Sequence, residues 1–376
     1  MRRWLLALTL ALLATGPAAA HKPSDAYLRL TIDPGATPRG SLDIALRDLE
    51  LVVGLDGNGD GAITWGELKA RHRAIAAYVQ SRLVLDTPVG PCELRPVEHL
   101  VDTHTDGAYA VLRFAAECPA SAGRLALRYG LLFDVDPMHR GLLTVSRAGA
   151  VTTAVLSPDQ PEIAIEGSEA RSAELGPFFT LGLEHIAFGF DHLLFLLVLL
   201  LPAAYHRAPS GAWLPVTGWW SATVDILKIL SAFTLAHGVS LAAATTGLVD
   251  LPTRLVESAI AATIVLTALD NVWPYLPRKR WLLAFGFGLI HGLGFASALG
   301  PLNLPPLDLA VALLGFNLGI EAGQVAVALP FLGLAYPLRT FGLYARGLLP
   351  VGSAVALVLA GFWFIDRAFA GALTPF

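Results

Sequence analysis

Two cysteines, Cys92 and Cys118, are all that the 376 residues contain, and neither belongs to a C-x-x-C pair. A dithiol redox centre and a cysteine-rich metal site are therefore excluded. No G-x-x-x-x-G-K-[ST] segment occurs, so a phosphate-binding loop cannot supply energy from a nucleotide. Neither H-E-x-x-H nor H-x-x-H-H occurs, so no catalytic metal is held from a single helix in those ways. That leaves an intramembrane metalloenzyme as the poorest of the functional classes considered. Internal repeats and low-complexity tracts are also missing. Charged residues make up only 15% of the chain against 55% hydrophobic ones, which turns attention to the membrane.

The opening "MRRWLLALTLALLATGPAAAHKPSD" has two arginines, a short apolar run and a small-residue site at Ala18-x-Ala20. It predicts a secretory signal peptide over 1–20, cleaved before His21, with the mature chain starting outside the cytoplasm. In that compartment Cys92 and Cys118 are expected to form a disulfide. The composition changes near residue 177: 21 acidic and 17 basic residues precede it, and nine of each follow. A net-negative outer region favours cations over nucleic acid or anionic lipid. Segments such as "DAYLRLTI", "AYAVLRFAA" and "RLALRYGLLF" are short, partly alternating apolar runs between turn residues, predicting an antiparallel, sandwich-like β-rich domain over 21–170.

Within it, "DGNGDGAITWGE" at 56–67 follows the EF-hand template. Asp56, Asn58, Asp60, Thr64 and Glu67 stand at loop positions 1, 3, 5, 9 and 12, the Ala62 carbonyl serves position 7, and Gly61 makes the turn at position 6. A structural Ca2+ is the expected occupant, because no second loop is present to form a sensor pair. "WGELKARHRAIAAYVQSRLVL" should be the helix leaving the loop.

The second half, 178–370, reads as a membrane domain. Six apolar stretches, at approximately 178–201, 226–248, 255–275, 281–300, 308–335 and 348–369, approach the roughly 20 residues needed to cross a hydrocarbon core. Arg207, then Arg278, Lys279 and Arg280, then Arg339 and Arg346 fall in the first, third and fifth connections, whereas the outer ones carry only Arg254. This positive-inside bias agrees with the leader in placing the amino end outside. The fold expected is a six-helix transmembrane bundle preceded by the β-rich outer domain with its EF-hand-like loop and helix.

The spans are unusually polar. "LGLEHIAFGFDHLLFLLVLLL" carries Glu184, His185, Asp191 and His192; other spans carry His237, Glu257, Asp270, His291, Asn317, Glu321 and Gln324. Ionisable groups at this depth are costly, roughly 2.5–3.5 kcal/mol each on insertion scales, so they face the bundle interior and pair or bind something. His185 and His192 are seven residues apart, about 10 Å along an unbroken helix. Either Gly189 opens the helix, or the two belong to successive sites, with His237 and His291 as the converging ligands. Imidazoles mixed with carboxylates suit a borderline divalent metal. The spacing Gly288-x-x-x-Gly292, with Gly286 and Gly294, predicts close approach of a neighbouring helix at His291.

"EHIAFGFDHLLFLL", "ESAIAATIVLTALDN", "FGLIHGLGFA" and "FNLGIEAGQ" together resemble the HupE/UreJ family of membrane proteins, with His185, Asp191 and His192 matching its H-x5-D-H pattern. "HKPSD", the calcium-type loop and "DPMHRGLL" resemble its longer branch. The resemblance implies nickel handling for hydrogenases and ureases, and with it a metalloenzyme maturation partner. The expected function is a permease for a divalent transition metal, Ni2+ first, in the cytoplasmic membrane. His185, Asp191 and His192 would form its first site, and His237, Glu257, His291 and Glu321 would continue the path. The alternative is a non-transporting accessory or sensor protein that presents metal to a partner. An outer site from His21 and His139 stands beside the plainer reading of a solvated terminus and a loop histidine. His72, His99, His104 and His206 read as surface or structural residues.

Overall fold

The computed structural model describes residues 24–33, 35–104, 107–119, 124–148, 150–166, 175–208, 212–277, 279–295, 299–302 and 304–373. The expected leader, His21 and Arg278 lie outside the described residues. Ten strands build two sheets: β1 (Asp25–Ile32), β2 (Arg39–Ala45), β3 (Leu83–Thr87), β4 (Gly90–Pro91), β5 (Glu93–His104), β6 (Gly107–Glu117), β7 (Arg124–Tyr129), β8 (Arg140–Arg147), β9 (Ala150–Leu156) and β10 (Glu162–Glu166). Their orders are β5-β6-β2-β1-β8-β9 and β10-β7-β3-β4. One departure from the expected antiparallel pattern is central, since β1 and β8 run parallel, with Ala26 opposite Gly141. A parallel neighbour requires a long crossover, and three helices with β3, β4 and β7 of the small sheet lie between these two strands.

The two sheets share one apolar core, with Leu28, Leu30, Leu42, Ile44 and Leu143 of the large sheet against Leu83, Leu85, Leu125 and Leu127 of the small one. Because side chains alternate across a strand, Tyr27, Tyr109 and Leu142 point to the opposite face. There they pack with Phe178, Leu181, Ile186 and Phe316 of the helical part. Covered on both faces, β8 is an apolar run without clear alternation. Cys92 and Cys118 are joined, tying the start of β5 to the end of β6.

Helix α1 (Leu46–Val53) leads into the calcium-type loop, and α2 (Trp65–Ala70) leaves it. Thr64 caps α2 in a reciprocal box with Glu67. The expected single helix through Leu85 is divided at Arg71. It resumes as α3 (His72–Arg82), after which Leu83, Val84 and Leu85 pair with β7 as a strand. Leucine and valine at alternating buried positions are worth more inside the small sheet than in another helical turn.

The helical part comprises α4 (Leu175–Phe188), α5 (Phe190–Leu200), α6 (Trp219–Thr245), α7 (Thr253–Val272), α8 (Arg280–Gly292), α9 (Pro306–Leu338) and α10 (Leu349–Leu373). Among the described residues four helices are long and apolar enough to cross a membrane, α6, α7, α9 and the stretch Tyr344–Phe369. The pair α4 and α5 makes a fifth if it counts as one broken span, bent by 69°. Of the expected sixth, 281–300, the structure describes the 13-residue α8, a 3-10 turn at Leu293–Phe295 and residues 299 and 300, with 296–298 outside the described residues. At 1.5 Å per residue α8 reaches only about 20 Å, short of a core of roughly 30 Å.

Two helix pairs meet backbone to backbone. A Cβ at Gly182 would overlap the Phe316 carbonyl, and one at Gly319 would overlap that of Phe179, so α4 lies directly on α9. Likewise Gly288 and Gly292 of α8 abut the Phe233 and His237 carbonyls of α6. Such contact through small residues is how helices associate where apolar burial gives little advantage over lipid.

Candidate metal site

The break between α4 and α5 falls at Gly189, which has φ −74° and ψ 90°. A Cβ there would collide with the His185 carbonyl, so the bend requires glycine. Its consequence is direct: His185 from the last turn of α4 and His192 from the first turn of α5 face each other, with 3.3 Å between their Nε2 atoms. Of the two readings of the seven-residue spacing, the structure has the opened helix. His237 of α6 completes the group, and one ring nitrogen from each of the three lies within 4.8 Å of the others.

Hydrogen bonds assign the tautomers. The Asp191 carboxylate accepts from the His192 backbone N–H at 2.9 Å and from its ring Nδ1–H at 3.0 Å, leaving Nε2 as a lone pair. Asn317 donates its amide to the Leu313 carbonyl, so its Oδ1 accepts from His237 Nδ1–H at 3.2 Å. His237 Nε2 is then a buried lone pair with no hydrogen-bond partner. Imidazoles oriented by a carboxylate or amide on the far nitrogen are the usual support of a metal-ligating histidine. Arg367 of α10 lies 3.6 Å from the other Asp191 oxygen and holds that carboxylate from behind.

His291 is fully buried, and its ring centroid is 5.1 Å from that of His192. The Thr263 hydroxyl gives its proton to the Ile260 carbonyl and accepts from His291 Nε2–H at 2.9 Å, leaving Nδ1 without a partner. It adjoins the three-histidine group without belonging to it. Glu321 accepts a hydrogen bond from Ser231, and neither it nor Glu257 enters the group. Of the glycines expected near His291, Gly288 and Gly292 make the close approach, whereas a Cβ at Gly286 would meet open space.

The outer domain has its own buried histidines. His139 is completely enclosed, with Ser24 Oγ 2.6 Å from Nδ1 and Tyr129 Oη 2.6 Å from Nε2, while Ser24 donates onward to Asp48 at 2.7 Å. Burial, and secondly the Arg140 charge beside it, push its pKa down to about 3. With both nitrogens used, His139 has no ligand position to offer, so of its two readings the outer metal ligand fails and the structural residue stands. Asp43, Asp102 and His104 also cluster, a group that sequence reasoning missed because β2 and β5 bring the residues together from far apart. Burial opposes ionisation of Asp43, yet hydrogen bonds from His104 and Arg29 and the charge of Arg29 hold its carboxyl below the ordinary value. The guanidinium already neutralises that carboxylate, so the cluster is an ion-paired support under Tyr109, on which His104 stacks at 4.1 Å.

In the 56–67 loop, Asp56 accepts from Gly59 N and Gly61 N, and Asp60 from Ala62 N. Glu67 accepts from Gly57 N and from Thr64, bonds that lower its pKa, those from Thr64 first. Gly59 and Gly61 take φ of 73° and 80°, the left-handed turn that the template requires of its sixth position.

Sequence reasoning also missed Arg140. Its guanidinium grips Glu184, one residue before His185, through Nε at 3.1 Å and Nη2 at 2.7 Å. The only signal was its place beside His139 in "DPMHRG".

No curated protein matches the chain. A family profile described as HupE / UreJ protein matches residues 161–367, from the last strand of the small sheet to the arginine behind Asp191. That family is associated with nickel or cobalt transport or accessory function, and is not an enzyme family. Since the match spans more than half of a multi-pass membrane protein and contains all four intramembrane histidines, the chain belongs to the HupE/UreJ family.

Proposed function

We propose that the protein is a permease for a divalent transition-metal ion, nickel first, in the cytoplasmic membrane, with its β-rich domain outside. The observation that carries this reading is the convergence of His185, His192 and His237 across a broken helix, with the Nε2 atoms of His185 and His192 facing each other and that of His237 unpartnered. Three neutral imidazoles suit a borderline metal and leave coordination positions open, so an ion can be held and then released. Asp191 and Asn317 fix the ring orientations, and Asp191 supplies negative charge near the ion. His291, beside His192, is the next ligand on the path, reached by exchanging one imidazole for another. Driving force would come from the membrane potential, a proton gradient or a partner, and basic connections such as Lys279 and Arg339 face the cytoplasm.

The same reading takes 1–20 as a cleaved leader and the 56–67 loop as a structural calcium site. There Asp56, Asn58, Asp60, Thr64 and Glu67 would supply side-chain oxygens, and Ala62 its carbonyl. Uptake of radioactive nickel into proteoliposomes tests the central claim. The wild-type protein should load the vesicles, and a correctly inserted His192→Ala/His291→Ala double variant should not. Metal that binds without crossing would make the protein an accessory that presents metal to a partner.

A further inference from the structure

The large sheet of the outer domain lies against the very half-helix that carries His185, and one buried ion pair joins them. We infer that Arg140 is a positioning residue through which the outer domain holds the intramembrane histidines in their converged arrangement. The inference rests on the metal-site reading given above, and it assigns the outer domain a role in that site.

Arg140 is itself rigidly seated. Its Nη1 donates to the carbonyls of Pro137 at 3.0 Å and His139 at 2.9 Å, while its backbone N–H donates to the Ser24 carbonyl. The residue before it is locked by the Ser24–His139–Tyr129 hydrogen bonds. From this anchorage a two-pronged bond reaches Glu184, and both side chains are largely removed from solvent, at 9% and 26% exposure. A planar fork on a carboxylate fixes direction as well as distance.

Glu184 and His185 are adjacent on α4, so a rotation of that helix which released Glu184 would carry the imidazole with it. Helix α4 is only 14 residues long and ends at a break, so continuity with α5 does not fix its rotation. Three sets of contacts do so instead: the glycine-mediated seat on α9, the apolar packing of Phe178, Leu181 and Ile186, and Arg140. The glycine seat has no side-chain interlock at Gly182 or Gly319 and resists sliding less than separation. Apolar packing is non-directional, and Arg140 adds the directional restraint. Displacement of β8 therefore moves His185 relative to His192, and the outer domain governs how tightly the site closes.

The test uses the full-length protein in lipid nanodiscs, with cobalt(II) as a probe whose absorption reports ligand geometry. The wild type should bind cobalt, and His192→Ala should abolish the binding. Arg140→Gln and Glu184→Gln should each weaken binding about tenfold or more and alter the absorption band, with the thermal midpoint little changed. The Arg140→Gln/Glu184→Gln double variant should be no worse than either single variant, since the two residues act as one unit. Additive losses, or wild-type affinity in both single variants, would overturn the inference.

A second readout needs no metal: spin labels on introduced cysteines at the exposed positions Thr180 and Leu197, one on each half of the broken span. Their distance distribution should be narrow in the wild type and broaden or shift in Arg140→Gln. An unchanged distribution overturns the inference even if cobalt fails to bind the wild type, the outcome that separately defeats the metal-site reading.

Discussion

Two sets of buried histidines in this molecule invite opposite conclusions. In the outer domain His139 has a hydroxyl on each ring nitrogen and is finished as a piece of structure. In the helical part His192 and His237 each have the far nitrogen satisfied, while the near one of His192 meets only another imidazole and that of His237 meets nothing. Leaving a buried polar atom without a partner costs about 1–3 kcal/mol. A fold that accepts this cost at His237 and again at the neighbouring His291 has what the proposed cation path would require. Burial alone does not distinguish a ligand from a strut; the accounting of lone pairs does.

The sharpest way to break the comparison is to disturb the groups that set the tautomers. Asn317→Leu should leave His237 free to present either nitrogen and weaken metal binding about 10- to 100-fold, as loss of such outer support does elsewhere. Calorimetric titration of the purified protein with nickel checks this, and unchanged affinity would show that His237 is a strut after all.

The outer histidine should respond to pH rather than to metal. The pKa of His139 is about 3 in the folded protein against an ordinary 6.5, so below pH 6.5 the unfolded chain takes up a proton that the folded chain refuses. Stability is complete above that pH and should fall by up to about 1.4 kcal/mol per pH unit as pH drops toward 3. Hydrogen-exchange protection of β1 and β8 measures it, and His139→Gln should flatten most of the slope, whatever its own stability. A smaller slope should remain from His99, pushed down to about 4 by burial and then by neighbouring His72. A wild-type protein as stable at pH 4 as at pH 7 would contradict the assignment.

The smallest effect belongs to the surface loop. Millimolar calcium should raise the unfolding midpoint of the outer domain by a few degrees, in line with about 1 kcal/mol. Glu67→Gln should remove the increment. A melt indifferent to calcium would make the 56–67 segment an ordinary capped turn.

Contiguous features were legible in the sequence: the turn and helix cap between Asp56 and Glu67, the apolar helices and the H-x5-D-H segment all lie within single stretches. Reading was ambiguous where geometry had to choose, as at His185 and His192, whose spacing is incompatible with one ion on a straight helix and compatible once Gly189 bends it. It failed where contacts join distant segments. Arg140 and Glu184 are 44 residues apart, and nothing near either names the other. The helix through Arg71 was overestimated because leucine and valine serve helix and strand alike, and the pairing with β7 decides. At 281–300 hydropathy measured how apolar the segment is, not where α8 gives way to a 3-10 turn at Leu293–Phe295.

The glycine contacts have a mechanical consequence. Where α4 rests on α9 and α6 on α8 without intervening side chains, the helices of each pair travel together as one body, within which α4 can turn on its seat only as far as Arg140 permits. His185 belongs to the first body, His237 and His291 to the second, and His192 sits past the pivot at Gly189. Asn317, on the first body, reaches across to His237 on the second. The histidine group is thus the seam between two blocks, so opening it is a change of angle between them rather than a loosening of either.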